Sequence, residues 1–370
     1  MIVGILGGGQ LARMLVLAGI PLGMRFLILD PSPDASGASL GEHIVAAYDD
    51  PVALARLAER CDRITYEFEN VPAVAAEWLA AEKRPVHPPP AALAVARDRL
   101  REKDLFKDLG IPVAAVEAVE DLYSLQRAAE VVGLPAVLKA RTLGYDGRGQ
   151  IVIAETEIIE DAWRRLAGVP AVLEAYVAFE REVSVIAVRG AEGRTAFYPL
   201  SENVHHDGIL VTARSRPDDL QQARAEEYAT RLLDALDYRG VLAIEFFEKD
   251  GELLANEIAP RVHNSGHWTI EGAVTSQFEN HLRAIADLPL GSTSPVGYAA
   301  MVNLIGEIPD PTPLLNMPDV HLHAYGKAHR PGRKVGHVTV RAETPERLET
   351  LLEDVTGHVG IPSDLQRRGR

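Results

Sequence analysis

The first nine residues, MIVGILGGG, limit the possible folds more than any other stretch of the chain. An apolar run ending in glycines reads as a strand buried on both faces. Apolar residues at helical spacing follow at once in QLARMLVLAGIPLG, and MRFLILD is the next strand. HIVAAYDD and DRITYEFENV read as two more strands. Between them lies the helix PVALARLAERC, with a proline at its start. Strands that alternate with helices need crossover connections, so the sheet is parallel and carries helices on its faces. This first unit covers residues 1–98.

The proline cluster of RPVHPPP interrupts regular structure, and a charged helix follows, closed by Gly110 and Pro112. The second unit, 99–177, reads as helix DLYSLQRAAEVVG, strand AVLKA, glycine loop GYDGRGQ, strand QIVIA, helix EIIEDAWRRLAG and strand AVLEAYV. The third, 178–290, opens with strand REVSVIAVRG. It continues through RTAFYPLSENVHHDGIL and helix QQARAEEYATRLLDALD, and ends with the strand pair in GVLAIEFFEKDGELLANEIAPR. DLPLGSTSPVG links it to a last, mostly β segment, 291–370.

The chain has 370 residues and a formal net charge of −15, which disfavours a non-specific nucleic-acid binder. It contains no apolar run of the roughly 18 or more residues that read as a membrane span, and its N-terminus reads as a strand, not a signal peptide. The single Cys61 rules out an intramolecular disulfide framework and a cysteine-cluster metal site. These features indicate a cytoplasmic protein.

GGGQLA fits the dinucleotide fingerprint through Gly7, Gly9 and Ala12, with Asp30 closing the second strand. The same glycines would equally serve the tight strand-to-helix turn or another phosphate. Lys139 stands out because lysine is scarce here. Inside the apolar strand AVLKA it either snorkels from an edge or faces an anion that offsets its desolvation. A turn at KDGE would bring Glu245 and Glu257 together, with Asn256 beside them. Two inward carboxylates repel unless a cation lies between them, and Mg²⁺ prefers one or two carboxylates plus phosphates. The alternative is an exposed polar face.

In APRVHNSGHW the intervening Asn-Ser-Gly argues against a helical zinc pair of His263 and His267. A substrate loop with an anion-binding Arg261 fits better. In so acidic a chain, the cluster Lys327, Arg330, Arg333 and Lys334 is a candidate phosphate-monoester site, against the alternative of a solvated turn. His321 and His323 read as packing or surface residues. No G-x-S-x-G, Walker A or H-E-x-x-H motif occurs.

The order of these parts resembles the ATP-grasp superfamily. GGGQLARM, YEFENVP, GYDGRGQ, FYPLSENVHHDGIL, NEIAPRVHNSGHWTIEGAVTSQFENHLRAI, DLPLG and RPGRKVGH look like one family within it. That family is the ATP-dependent subunits of phosphoribosylaminoimidazole carboxylase, also called N5-carboxyaminoimidazole ribonucleotide synthetases. The resemblance runs over all but the last 20 or so residues. It implies an α/β, ATP-grasp fold with a Rossmann-like N-terminal domain and a small, mostly β C-terminal segment. It also implies a homodimer acting in purine biosynthesis on ATP, bicarbonate and 5-aminoimidazole ribonucleotide, with Mg²⁺ or in its place Mn²⁺, and through carboxyphosphate.

By that resemblance, Arg99 and Lys139 would contact the ATP phosphates, and Gly144, Tyr145, Asp146, Gly147, Arg148, Gly149 and Gln150 would fold over them. Glu174, Ala175, Tyr176 and Val177 would follow the adenine, Glu182 the ribose hydroxyls, and His205 would also line the nucleotide site. Glu245 and Glu257 would hold the metal, with Asn256 alongside. Gly8, Gly9, Gln10 and Glu69 would meet the ribonucleotide, whose 5′-phosphate would lie on Lys327, Arg333 and Lys334. Arg261, His263 and Asn264 would sit where bicarbonate and the amine meet, with Tyr145, Asp146 and Arg148 closing nearby. The competing readings are a formate-dependent glycinamide ribonucleotide transformylase, an NAD-dependent dehydrogenase built on GGGQLA and Asp30, and a non-catalytic nucleotide-binding protein.

Overall fold

The computed structural model of the chain describes residues 1–142 and 149–361. The N-terminal alternation folds as expected. Strands β1 (Ile2–Leu6), β2 (Arg25–Leu29), β3 (Glu42–Ile44) and β4 (Arg63–Tyr66) form a parallel sheet in the order β3-β2-β1-β4. Side chains alternate across a strand, so β2 sends Phe26 and Ile28 into one core and Leu27 and Leu29 into another. The helices Gln10–Gly19 and Gln277–Ile285 cover the first face; Pro51–Arg60 and Ala73–Ala81 cover the second. Asp50 caps Pro51–Arg60 by accepting the Ala53 N–H at 2.8 Å, and Pro51 occupies the first turn, where its missing donor costs nothing.

Strands β5 (Val116–Val119), β6 (Ala136–Ala140), β7 (Gln150–Ile153) and β8 (Ala171–Ala175) form an antiparallel sheet in the order β5-β8-β6-β7. Lys139 on β6 lies opposite Gln150 on β7, so the glycine loop does run from strand to strand. The helices Leu122–Val132 and Ile159–Arg165 pack on this sheet.

The third sheet is the largest. It holds β9 (Arg181–Arg189), β10 (Thr195–Phe197), β11 (Leu200–His206), β12 (Ile209–Arg216), β13 (Gly240–Lys249), β14 (Glu252–Ala259), β15 (Tyr298–Ile305), β16 (Val320–Ala324) and β17 (Lys334–Ala342). Its order is β14-β13-β9-β11-β12-β15-β17-β16, with β10 on β9. The C-terminal strands therefore extend the central sheet through the β12–β15 pairing and form no separate layer. The helix Pro345–His358, absent from the sequence reading, covers β15 and β17 with Leu348, Leu351, Leu352 and Val355. The β13–β14 turn is Asp250-Gly251, with φ of 53° and 73°. Two positive values in a row favour Asp-Gly over almost any other pair. That turn sets the register as far as Phe246 opposite Ala255, and a one-residue bulge at Asn256 then brings Glu257 opposite Glu245. No helix among the described residues is long and apolar enough to cross a membrane.

Candidate active site

A cavity of about 860 Å³ opens where the three sheets meet. Of the expected nucleotide residues, Arg99, Lys139, Gln150, Glu174, Ala175, Tyr176, Val177, Glu182, His205, Asn256 and Glu257 line it. So do Glu245, Arg261, His263, Asn264, Gln10, Glu69, Lys327, Arg333 and Lys334. Gly149 is not in the wall; its carbonyl accepts the Ala140 N–H at 2.8 Å and begins the β6–β7 ladder. Gly144, Tyr145, Asp146, Gly147 and Arg148 lie outside the described residues.

Lys139 is neither an edge lysine nor unpartnered. Its ammonium donates to Glu174 Oε2 at 2.8 Å and lies 3.5 Å from Asn256 Oδ1. Burial alone would raise the Glu174 carboxyl, but Lys103, Lys139 and Arg99 outweigh it and hold it down at about 2. Arg99 reaches the other carboxylate, Glu257 Oε2, at 3.1 Å. Burial and the Glu257 charge push Glu245 up to about 7, and His263 Nε2 lies 3.3 Å from its Oε1. His205 Nδ1 sits 2.8 Å from Glu182 Oε2.

A divalent cation fits this hairpin. The donors are hard oxygens, they face each other across the strand pair, and their mutual repulsion is what a cation relieves. Among the described residues no group of three or more His, Cys, Asp or Glu side chains converges on one point, so ligand phosphates would have to complete the coordination.

Past the hairpin, Arg261 Nε donates to Glu69 Oε2 at 2.6 Å. Burial opposes both charges, yet each is the other's main support: Glu69 is held below and Arg261 above its ordinary value. Burial, with Arg261 and Lys334 nearby, pushes the His263 imidazole well down, so it is neutral at pH 7. Both ends of the Asn264 amide pair with Asn303, at 3.1 and 2.7 Å, which ties this loop to β15. His267 does not face the cavity. It is fully buried against Phe278 and His337, and among the described residues no group of three or more His, Cys, Asp or Glu side chains is placed to hold a metal ion. His323 packs on His337 with centroids 4.4 Å apart, in keeping with a packing role.

At the far end Lys327 donates to Gln10 Oε1, near Arg330, Arg333 and Lys334. Gly8 and Gly9 stay out of the wall because their N–H groups are already used. Gly8 donates to Asp30 Oδ2 at 2.7 Å; Gly9 and Ala12 donate to Glu67, Ala12 at 2.9 Å. A carboxylate thus occupies the helix N-terminus where a dinucleotide pyrophosphate would lie. Asp30 also accepts from Tyr48 and Ser32, so it is not available to a ribose. The glycine fingerprint serves the fold, and the dehydrogenase reading fails on that ground.

Sequence reasoning missed Glu67, Glu102 and Lys103. Glu67 was legible in principle, since it shares strand parity with Glu69 in YEFEN. Glu102 lines the cavity and Lys103 lies behind it, both on a helix that reads as merely charged.

A two-lobed nucleotide cleft with a strand lysine in one lobe and a carboxylate hairpin in the other defines an ATP-grasp enzyme, and residues 104–278 match the ATP-grasp domain. Residues 1–97 match the ribonucleotide synthetase preATP-grasp domain, and 299–350 the phosphoribosylaminoimidazole carboxylase C-terminal domain. The chain belongs to the N5-carboxyaminoimidazole ribonucleotide synthase family. It is 54% identical to the Pseudomonas aeruginosa synthase of that name over 353 residues, 95% of this chain and 98% of the relative. The Thermus thermophilus synthetase structure is 52% identical, with a TM-score of 0.92 over 96% of this chain and 98% of its own. An Aspergillus clavatus synthase solved with ADP and 5-aminoimidazole ribonucleotide is 32% identical, with a TM-score of 0.89 over 97% and 98%.

Proposed function

We propose that this chain carboxylates the exocyclic amine of 5-aminoimidazole ribonucleotide, using ATP and bicarbonate and giving N5-carboxyaminoimidazole ribonucleotide, ADP and phosphate. The observation that carries this reading is a single cavity lined by two sets of cationic groups from different parts of the fold. Arg99 and Lys139 suit a nucleotide polyphosphate. Lys327, Arg330, Arg333 and Lys334 suit the phosphate of a ribonucleotide. Arg261 and neutral His263 lie between them. The Aspergillus relative, crystallised with ADP and the ribonucleotide together, supports two occupants.

A bicarbonate oxygen attacks the γ-phosphorus, the bond to ADP breaks, and carboxyphosphate forms. The amine nitrogen then attacks the carboxyl carbon, directly or after CO₂ is released. Phosphate leaves and the amine loses a proton. Lys139 and Arg99 hold the phosphates, and Arg261 faces the developing oxyanion charge. Glu245 and Glu257 would hold Mg²⁺, which supplies charge neutralisation on the transferring phosphoryl group. In the assay, ADP release should require both 5-aminoimidazole ribonucleotide and bicarbonate, and ¹³C-bicarbonate should label the product. ADP release that depends instead on formate and glycinamide ribonucleotide would overturn the reading.

The phosphate end also sets a pH dependence. Burial, then Arg333, Lys334 and Arg330, push Lys327 down to about 8, against Glu67, which raises it. Its positive charge is present below that value and is lost as pH rises through it. A phosphomonoester is already close to a dianion at pH 7. The KM for the ribonucleotide should therefore rise about tenfold from pH 7 to 9, as expected for loss of one charged hydrogen bond. Lys327→Met should show a KM that is high and flat over that range, measured at saturating ATP. A wild-type KM that stays level would remove Lys327 from the phosphate site.

A further inference from the structure

Lys103 is a buried cation that the proposed chemistry does not use. The helix Arg99–Asp108 carries Arg99, Glu102 and Lys103 at spacings of three and four, on one face. That face lies along β14. Arg99 reaches Glu257, Glu102 Oε1 accepts the Ile258 N–H at 2.7 Å, and Lys103 Nζ donates to the Asn256 carbonyl at 2.6 Å and to that of Ala255 at 3.4 Å. The same ammonium lies 3.5 Å from Glu174 Oε2, the oxygen that holds Lys139. At the helix N-terminus, Asp98 accepts Nε and Nη2 of Arg141, just beyond β6, at 2.8 and 2.9 Å. One helix thus grips both sheets of the nucleotide cleft. The Lys103 side chain is only 1% exposed and does not line the cavity, so it acts through its neighbours.

Two backbone carbonyls accept from Lys103 Nζ and the Glu174 carboxylate lies 3.5 Å away, a setting that favours the charged ammonium against the burial that pushes its pKa down. A buried carboxylate between two ammonium groups cannot neutralise both. We propose that Lys103 is a positioning residue that shares the charge of Glu174, so that Lys139 keeps a surplus of positive potential for the nucleotide phosphates. Without Lys103, Glu174 and Lys139 close into a neutral pair that competes with the phosphate. This inference rests on the ATP-grasp reading above.

The test is ADP affinity measured by calorimetry on the full chain, with ribonucleotide affinity measured alongside. Lys103→Gln can still donate to the Asn256 carbonyl but has no charge, and Lys103→Met removes both. Both should weaken ADP binding about tenfold, the scale of one charge-assisted hydrogen bond, with ribonucleotide affinity unchanged. If Lys103→Met does not fold, Lys103→Gln alone decides. The loss should depend on Glu174: in a Glu174→Gln background, where no carboxylate charge is left to share, Lys103→Gln should cost little more. ADP affinity unchanged in Lys103→Gln, an equally large loss in the Glu174→Gln background, or an equal loss of ribonucleotide binding would each overturn the proposal. Failure of the parent reading looks different, because the wild-type chain would then not bind ADP at all.

Discussion

Lys139→Ala should weaken ADP and ATP binding by about 10- to 150-fold and leave ribonucleotide binding unchanged. A hydrogen bond between charged groups contributes about 1.5–3 kcal/mol, and each 1.4 kcal/mol is a factor of ten. The variant is interpretable because Glu174 is not stranded by it. Lys103 remains 3.5 Å away, so the buried carboxylate keeps a counter-charge and the sheet keeps its core. Ribonucleotide binding is spared because the phosphate cluster, Lys327, Arg333 and Lys334, comes from the C-terminal segment and not from β6. Separate titrations with ADP and with ribonucleotide check this. Equal losses for both ligands would show that Lys139 supports the cleft as a whole and does not contact the nucleotide.

The features legible from sequence are those set by neighbours along the chain. Strand, glycine turn and helix at residues 2–19, the strand pair around the glycine loop and the Asp-Gly hairpin all follow from local periodicity and turn chemistry. The hairpin carried the most, because a two-residue turn with positive φ sets the register down to Phe246–Ala255; the one-residue bulge that then brings Glu257, and not Asn256, opposite Glu245 was not legible. What stayed hidden depends on distant pairing. Nothing in the C-terminal segment announces that β15 joins β12, with Thr212 opposite Val302, 90 residues apart. The helix Ala73–Ala81 is alanine-rich and apolar on both faces apart from Glu77, so it lacks the stripe that marks an amphipathic helix.

The same distinction holds in the site. The resemblance has residues 174–177 follow the adenine, and the structure adds that the Glu174 carboxylate lies against two lysines. The β6–β8 register explains this. Val137 faces Glu174 and Lys139 faces Val172, so Lys139 and Glu174 are diagonal neighbours on one face. That pairing joins residues 35 apart and cannot be read from either strand alone. Lys103 was hidden for a related reason. In REKDLFKD it has the surroundings of a solvated lysine, and only the tertiary placement of the helix on β14 buries it.

Arg261 should give the largest loss of turnover. It lies between the carboxylate hairpin and the phosphate cluster, with Nε on Glu69 and Nη1 donating to the Val262 carbonyl at 3.1 Å. If it stabilises oxyanion charge as bicarbonate is phosphorylated and the carboxyl group transferred, removing it should lower kcat about 10²- to 10³-fold, the usual effect of deleting one such donor. Arg261→Met alone confounds this, because it leaves Glu69 buried without its partner, and breaking a buried pair costs about 3–5 kcal/mol of stability. Arg261→Met with Glu69→Gln removes both charges together. The double variant should fold, bind ADP as the wild type does, and remain about 10²- to 10³-fold slow in ADP release at saturating substrates. Arg261→Lys keeps the charge but loses the planar fork, so it should fall between the two. A double variant that recovers wild-type turnover would mean that Arg261 serves only to neutralise Glu69, and the oxyanion role would then have to pass to another cation in the cavity.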